Sequence, residues 1–504
     1  MLAVSVISIA AFLFSLTAIF IGFRHSIFDF HGFRQAQTAI TAEYMQRGGP
    51  FLHYETPVFG PPWSIPFEFP LYQKIVAEFA AHLHTPLDET GRAVSIAFFY
   101  LSFLPLASIL RRLKYSTIQI SAVLALLAVS PLYILVSRMF MIESTALFLS
   151  IMYVDQTVRL VTAERQWPSA HMIATGFFGV LAGLVKVTTF APYLMLACGL
   201  IVWHAWKLQR RKALAIASAI AAAFFGLLVP VLCTVAWTKF ADAQKLKNPL
   251  GAFFTSKALT DFNFGTLAER LSTANYISLL HHVPGQAGSL PLLVLVAVVY
   301  GILVRRWNYA ALIALGLYVA TPMIFFHLHV LHVYYPYSSA IFLVVAAGML
   351  IADMLALQSL RAWIGFVLLV ALIGTCIDRY RENAYVFQKL NAPGRPDVAA
   401  IIDRTTKSND VVLITGLDWS SELPYQSHRR AIMDSAGVAS DFPSSLGPIA
   451  TAIRNQHADK IPEVVVCDSM RSSNRSLELL QAAGIQSSDP LRADNCDIYL
   501  RTAK

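Results

Sequence analysis

Runs of about 16 to 24 mostly apolar residues, separated by short polar clusters, recur through the first three quarters of the chain. Each is long enough to cross a hydrocarbon layer of about 30 Å, the shorter ones with flanking side chains snorkelling or packed centrally. The pattern predicts eleven transmembrane helices, at about 3–24, 94–111, 117–137, 141–160, 171–186, 189–206, 214–237, 289–304, 309–327, 337–356 and 362–377. The stretch 171–206 fits either one tilted helix or two short ones. Lys186 decides for two: a lysine at mid-span costs several kcal/mol, whereas a break at Lys186-Val187-Thr188-Thr189 moves it to the outer surface. Beyond 377 the pattern changes. Residues 397–406 and 476–483 read as helices, and 411–414, 462–467 and 497–500 as short strands. The predicted fold class is an α-helical polytopic membrane domain over 1–377, with outer loops 25–93 and 238–288, followed by a small extracytoplasmic α/β domain over 378–504.

Composition agrees with the pattern. Only 14% of the 504 residues are charged and 56% are apolar, where soluble domains carry about 25% charge. The formal charge is +9, but the tail from Asp378 is close to neutral, so the basic excess lies in loops beside the bilayer and does not suggest nucleic acid. Alternate short loops hold Arg111, Arg112 and Lys114; Arg159 and Arg165; Lys207, Arg210, Arg211 and Lys212; Arg305 and Arg306; and Arg361. By the positive-inside rule these loops are cytoplasmic. The long loops, a His/Tyr-rich link at 327–336 and the tail then face outward. The first 24 residues lack a basic n-region and a small-residue cleavage site, so they read as an anchor rather than a signal peptide.

Other motifs narrow the chemistry. No CxxC pair, GxGxxG or Walker pattern follows a strand, so no nucleotide site is assigned. Cys198, Cys233 and Cys376 lie in apolar runs, whereas Cys467 and Cys496 lie in or beside strand-like runs of the tail and can pair in an oxidising compartment. No internal repeat or inverted half-to-half symmetry is visible, which weighs against a transporter.

The first outer loop is the most informative segment. It carries Asp29, His31, Arg34 and Gln35, then His53-Tyr54-Glu55-Thr56-Pro57, then Pro61-Pro62-Trp63-Ser64-Ile65-Pro66-Phe67-Glu68-Phe69-Pro70. Its prolines forbid regular helix, and its aromatic residues suit a headgroup-level surface. A lipid-phosphate-linked sugar has a leaving group that wants cations or hydrogen-bond donors, and its acceptor hydroxyl wants a carboxylate to take its proton. Arg34, Lys186 and the histidines suit the first role; Glu68, Asp29 and Glu55 suit the second. Glu143 either pairs with Arg138 at the outer end of a span or belongs to the site. In His327-Leu328-His329-Val330-Leu331-His332-Val333-Tyr334-Tyr335-Pro336, the three histidines either share a strand face as metal ligands or hydrogen-bond at the interface.

Glu68-Phe69-Pro70 before the second span, Gly183-Leu184-Val185-Lys186, and His332-Val333-Tyr334-Tyr335 in a late outer link together resemble motifs of the membrane-embedded GT-C glycosyltransferases. The likeness is to the bacterial family-39 group of protein O-mannosyltransferases and the lipid A aminoarabinose transferase, and it covers most of the membrane region. Where that group has an acidic pair in its first outer loop, this chain has Phe33-Arg34-Gln35 within a His-Gly-Phe-Arg-Gln signature, with Asp29 and His31 just upstream.

The resemblance implies an inverting glycosyltransferase at the outer face of a bacterial inner membrane. It would use a polyprenyl-phosphate sugar donor and a glycan, lipid or protein acceptor among membrane lipids. Glu68 is then the expected base or acceptor-positioning group, with Asp29 and Glu55 as alternates. Arg34 and Lys186 would contact phosphate, with Gln35, His31, His332 and Tyr335 at the donor headgroup. No cofactor is required, and a divalent metal at His31 or His332 is a candidate companion. In the tail, residues 419–425 and His428-Arg429-Arg430 either meet the acceptor or pack the domain onto the outer loops. The rival readings are a transporter or flippase of a lipid-linked saccharide, and a non-catalytic envelope assembly factor.

Overall fold

The computed structural model describes residues 2–163, 169–208, 213–358, 360–389, 396–435, 446–486 and 489–501. Arg165, Arg210, Arg211 and Lys212, four of the charges used for orientation, lie outside the described residues.

All eleven apolar runs are helical over most of their length. Among the described residues, five helices are long and apolar enough to cross a membrane, or six if the bent pair Thr273–Ala287 and Leu290–Val304, 77° apart, is one span. Thr117–Val129, Ser169–Val185, Tyr309–Ile324 and Ala340–Leu355 are shorter apolar helices. The chain is a mostly helical, multi-span membrane protein with a C-terminal mixed β-sheet region.

The chain divides into two compact units. The first comprises residues 1–23, 92–236 and 260–390. Its N-terminal helix Leu2–Ile19 ends in a turn whose carbonyls have no helical partner, and two buried arginines meet them. Arg92 donates to the carbonyls of Gly22 and Phe23 at 2.7 and 2.9 Å, and Arg138 to Gly22 at 2.7 Å. The break within 171–206 falls where Lys186 predicts it, between Ser169–Val185 and Val187–Leu208. Gly183, one turn earlier, lets Thr234 approach so closely that a Cβ at 183 would lie 2.2 Å from its hydroxyl oxygen.

The second unit comprises residues 24–91, 237–259 and 391–504. Its sheet contains β1 (Val411–Thr415), β2 (Arg430–Asp434), β3 (Glu463–Cys467), β4 (Leu491–Ala493) and β5 (Cys496–Leu500), in the order β2-β1-β3-β5-β4. β1 is parallel to β2 and β3, while β5 is antiparallel to β3 and β4. Three predicted strands, β1, β3 and β5, are present; β2 and β4 were not legible. The outer-loop segment around Phe59 runs antiparallel along β2, whose Ala431 and Met433 amides donate to the carbonyls of Pro57 and Val58 at 2.8 and 2.9 Å. Part of the open edge of β2 is thereby paired. Cys467 and Cys496 are register partners on β3 and β5 and form a disulfide.

Candidate active site

In the second unit, the helix Gly32–Gln46 starts after His31, whose φ of 51° turns the chain sharply into it. Gln35 is fully buried and donates to the Phe30 carbonyl at 2.7 Å and to Asp29 at 3.4 Å, so Asp29 and Gln35 brace the start of this helix. Arg34 lies on the same first turn. Its guanidinium donates through Nη1 to Gln37 and through Nη2 to Glu68. The proline-rich segment holds Glu68 in place through its backbone: the Tyr54 hydroxyl donates to the Glu68 carbonyl at 2.9 Å and accepts from the Phe67 amide at 2.6 Å. Burial pushes the Tyr54 phenol well above its usual range, so it stays a donor.

A second cation, Lys245, sits at this place. Its ammonium lies 5.3 Å from the Phe67 ring centre and 3.4 Å from Asp242, and it attracts Glu68. With side-chain exposures of 18% for Arg34 and 25% for Glu68, the pair is open to a ligand rather than sealed. Lys245 was missed because it lies among other lysines, Lys239 and Lys247, in the second outer loop, where nothing in the sequence singles it out.

Glu55 serves a different arginine. Arg430, at the start of β2, donates to it at 2.6 and 3.2 Å and lies over the rings of Tyr44 and Trp63. Together with the His428–Glu43 contact at 2.7 Å, this ties the outer loop to the tail sheet. Trp419 is packed against Phe33, Phe59, Phe67 and Phe254, with ring centres 4.6 to 6.1 Å away. Arg429 bonds Asp403 and Thr406. These tail residues thus pack the domain onto the outer loops of the same unit.

In the first unit, the side chain of Lys186 is enclosed by the protein. Its ammonium is buried, donates to Glu143, and lies 5.5 and 4.7 Å from the rings of Tyr334 and Tyr335. Glu143 therefore pairs with Lys186 rather than Arg138; it opens the helix Glu143–Thr162, where the helix dipole favours a carboxylate.

The three-histidine strand face is also corrected: residues Phe326–Leu331 form a short helix, so His327 and His329, two residues apart, point to different sides. His327 meets Glu269 at 2.7 Å, His332 stacks against Tyr335 with centres 5.6 Å apart, and His329 is buried. Among the described residues no three of His, Cys, Asp and Glu come together to hold a metal ion.

An apolar cavity of about 210 Å³ lies within the same unit. Tyr193, Leu196 and Leu200 line it from the helix that follows Lys186, and Ile341, Phe342 and Val345 from the helix that follows Tyr335. The Tyr193 hydroxyl donates to the Ser338 carbonyl at 3.2 Å, joining these two walls. The remaining lining, including Leu113, Val158 and Ala310, comes from the opposite ends of their helices, so the cavity runs well down the helical bundle away from Lys186.

The fold has known relatives. It is similar to ArnT from Cupriavidus metallidurans bound to undecaprenyl phosphate, with a TM-score of 0.61 over 98% of each chain at 14% identity. The chain has an ArnT-like fold. This fold also matches the Archaeoglobus fulgidus oligosaccharyltransferase in complex with Zn and sulfate, with a TM-score of 0.51 and 11% identity over 92% of this chain and 68% of that one. The arabinofuranosyltransferase AftD from Mycobacteria gives 0.51 and 14% identity over 99% of this chain and 40% of its own. No family model and no curated protein matches the sequence.

Proposed function

We propose that this protein is an inverting glycosyltransferase that takes a sugar from a polyprenyl monophosphate and places it on a lipid-linked or cell-surface glycan, or on a protein, at the outer face of a bacterial inner membrane. The reading includes eleven crossings, the shorter apolar helices counted, and a tail on the outer side. The observation that carries it is the apolar cavity walled by the helices that begin beside Lys186 and Tyr335. A short segment of a polyprenyl chain fits such a cavity. Since the alternative for that chain is lipid hydrocarbon, the cavity selects by packing and shape rather than by hydrophobic gain. Lys186, with Tyr335 and His332 beside it, then receives the phosphate.

The chemistry is one displacement. The acceptor oxygen attacks the anomeric carbon, the bond from that carbon to the phosphate oxygen breaks with its electrons going to phosphate, and the acceptor proton passes to a carboxylate. Glu68 is the chosen base, with Asp29 and Glu55 as alternates. Glu68 is held by Arg34, which is the second proposed phosphate contact. Gln35 and His31 fix the helix that carries Arg34.

Mass analysis of surface glycans from a deletion strain tests the reading: loss of a single sugar is expected, and an unchanged glycan profile refutes it. For the flippase reading, purified protein in proteoliposomes would move the lipid-linked saccharide across the bilayer without transferring its sugar.

A further inference from the structure

His329, whose ring centre lies 6.0 Å from that of Tyr335, the ring that the Lys186 ammonium meets at 4.7 Å, is a titratable group that the reaction above leaves unused. It is 1% exposed. Its Nδ1 lies 2.8 Å from the Phe325 carbonyl, and a carbonyl only accepts, so Nδ1 carries the hydrogen and Nε2 is a bare lone pair. Among the described residues that lone pair has no hydrogen-bond partner, and neither has Oε2 of Glu143. A buried acceptor without a partner costs free energy unless a ligand or a proton completes it.

The elements packed against the His329 helix carry Asp261, Tyr276, His281, Tyr309, Tyr318, Tyr335 and Tyr337. The groups that act on the imidazole electrostatically are Lys186 and His282, and both repel a proton. With burial, they push its pKa down to about 4, so it is neutral at physiological pH. An anion beside Lys186 reverses that field. The two negative charges of a phosphate dianion at about 4 Å, in a medium of effective dielectric near 20, raise proton affinity on the order of a millionfold, enough to hold a proton at pH 8.

We propose that His329 is a phosphate-binding residue: when a phosphomonoester dianion occupies the Lys186 site, Nε2 takes a proton from solvent and donates it as a hydrogen bond to a phosphate oxygen. The proposal rests on the phosphate role of Lys186 and goes beyond it. The group released by sugar transfer is that dianion, carrying one negative charge more than the donor diester, and His329 supplies the matching positive charge. The imidazole thereby favours the product state of the transfer. Return of the proton to solvent accompanies departure of the lipid phosphate.

The test is calorimetric titration of the detergent-solubilised full chain with undecaprenyl phosphate at pH 8, in buffers of different ionisation enthalpy. The expected result is uptake of about one proton per ligand bound. In His329→Asn, whose amide still donates to the Phe325 carbonyl, binding persists about tenfold weaker and the uptake disappears. His329→Gln, which fills the Nε2 position without titrating, gives the same loss of uptake if the Asn variant fails to fold. Binding with undiminished proton uptake in both variants overturns the role of His329 and leaves the phosphate site standing. Absence of binding to the wild-type chain, or binding that Lys186→Met leaves unchanged, overturns the phosphate site and this inference with it.

Discussion

Lys186 and Glu143, 43 residues apart, form an ion pair with side chains only 6% and 3% exposed. The lysine stands at a helix break and the glutamate at a helix start, so each is delivered by backbone geometry rather than by a flexible loop. Their mutual neutralisation allows a lysine to sit inside the bundle without the cost of an isolated buried charge. A phosphate arriving there meets a cation already positioned.

Breaking one side of that pair should cost more than removing both. Lys186→Met leaves a buried carboxylate and should destabilise by about 3–5 kcal/mol, whereas Lys186→Met with Glu143→Leu should recover most of the loss. Denaturant unfolding in detergent measures this. A double variant as unstable as the single one would show that the pair's neighbours, not its charges, set the cost.

The two outer-loop glutamates should separate in activity. Glu68→Gln is expected to lower transfer in membranes by about 10²-fold or more with expression intact, as loss of a general base does. Glu55→Gln weakens the tie to Arg430 and should keep transfer within about tenfold of wild type, the scale of a lost charge-assisted hydrogen bond. Arg34→Ala should raise the donor concentration needed for half-maximal rate. Equal losses at Glu55 and Glu68 would reassign the base.

The tail disulfide makes a chemical prediction. Under non-reducing denaturing conditions, alkylation should modify Cys198, Cys233 and Cys376, and reach Cys467 and Cys496 only after reduction. Closing a loop of 29 residues contributes about 3–4 kcal/mol by chain entropy, so reduction should loosen the β3–β5 pairing measurably by hydrogen exchange. Five alkylated cysteines without reductant would contradict the pairing.

Glu463, buried at the start of β3, has its carboxyl pushed up to about 7 by desolvation, which outweighs the Thr405 hydrogen bond and the pull of Arg429. A carboxyl whose folded value is raised binds more protons in the native state. The tail should therefore lose stability as pH rises from about 4.5 to about 7, with the full penalty above that window. Glu463→Gln should slow exchange of β3 amides at pH 8 relative to wild type, by the equivalent of about 1–3 kcal/mol, and change little at pH 4.5. An equal effect at both pH values would rule out the titration.

Much of the fold was legible because the signals are local. A run of apolar residues reveals a membrane helix by its length, and Lys186 reveals the break by its charge. β1, β3 and β5 were visible as Val/Ile/Leu-rich or alternating runs. β2 was hidden: Arg430-Ala431-Ile432-Met433-Asp434 has charged ends and one β-branched residue, and it owes its strand to β1 on one side and the outer loop on the other. The histidine link alternates like a strand yet folds as a helix, because backbone bonding within Phe326–Leu331 prevailed over a two-residue pattern too short to specify an edge.

The order of elements and the residue types available for phosphate chemistry were determined by the sequence alone, since hydrophobic length and charge are sums over neighbouring positions. The partner of each charge was decided only by the tertiary structure. Glu143 has Lys186 rather than Arg138, Glu55 has Arg430, Glu68 has Arg34 with Lys245 beside it, and His329 is enclosed with a bare lone pair. An ion pair depends on distance and local dielectric, and both come into being only when the chain has packed.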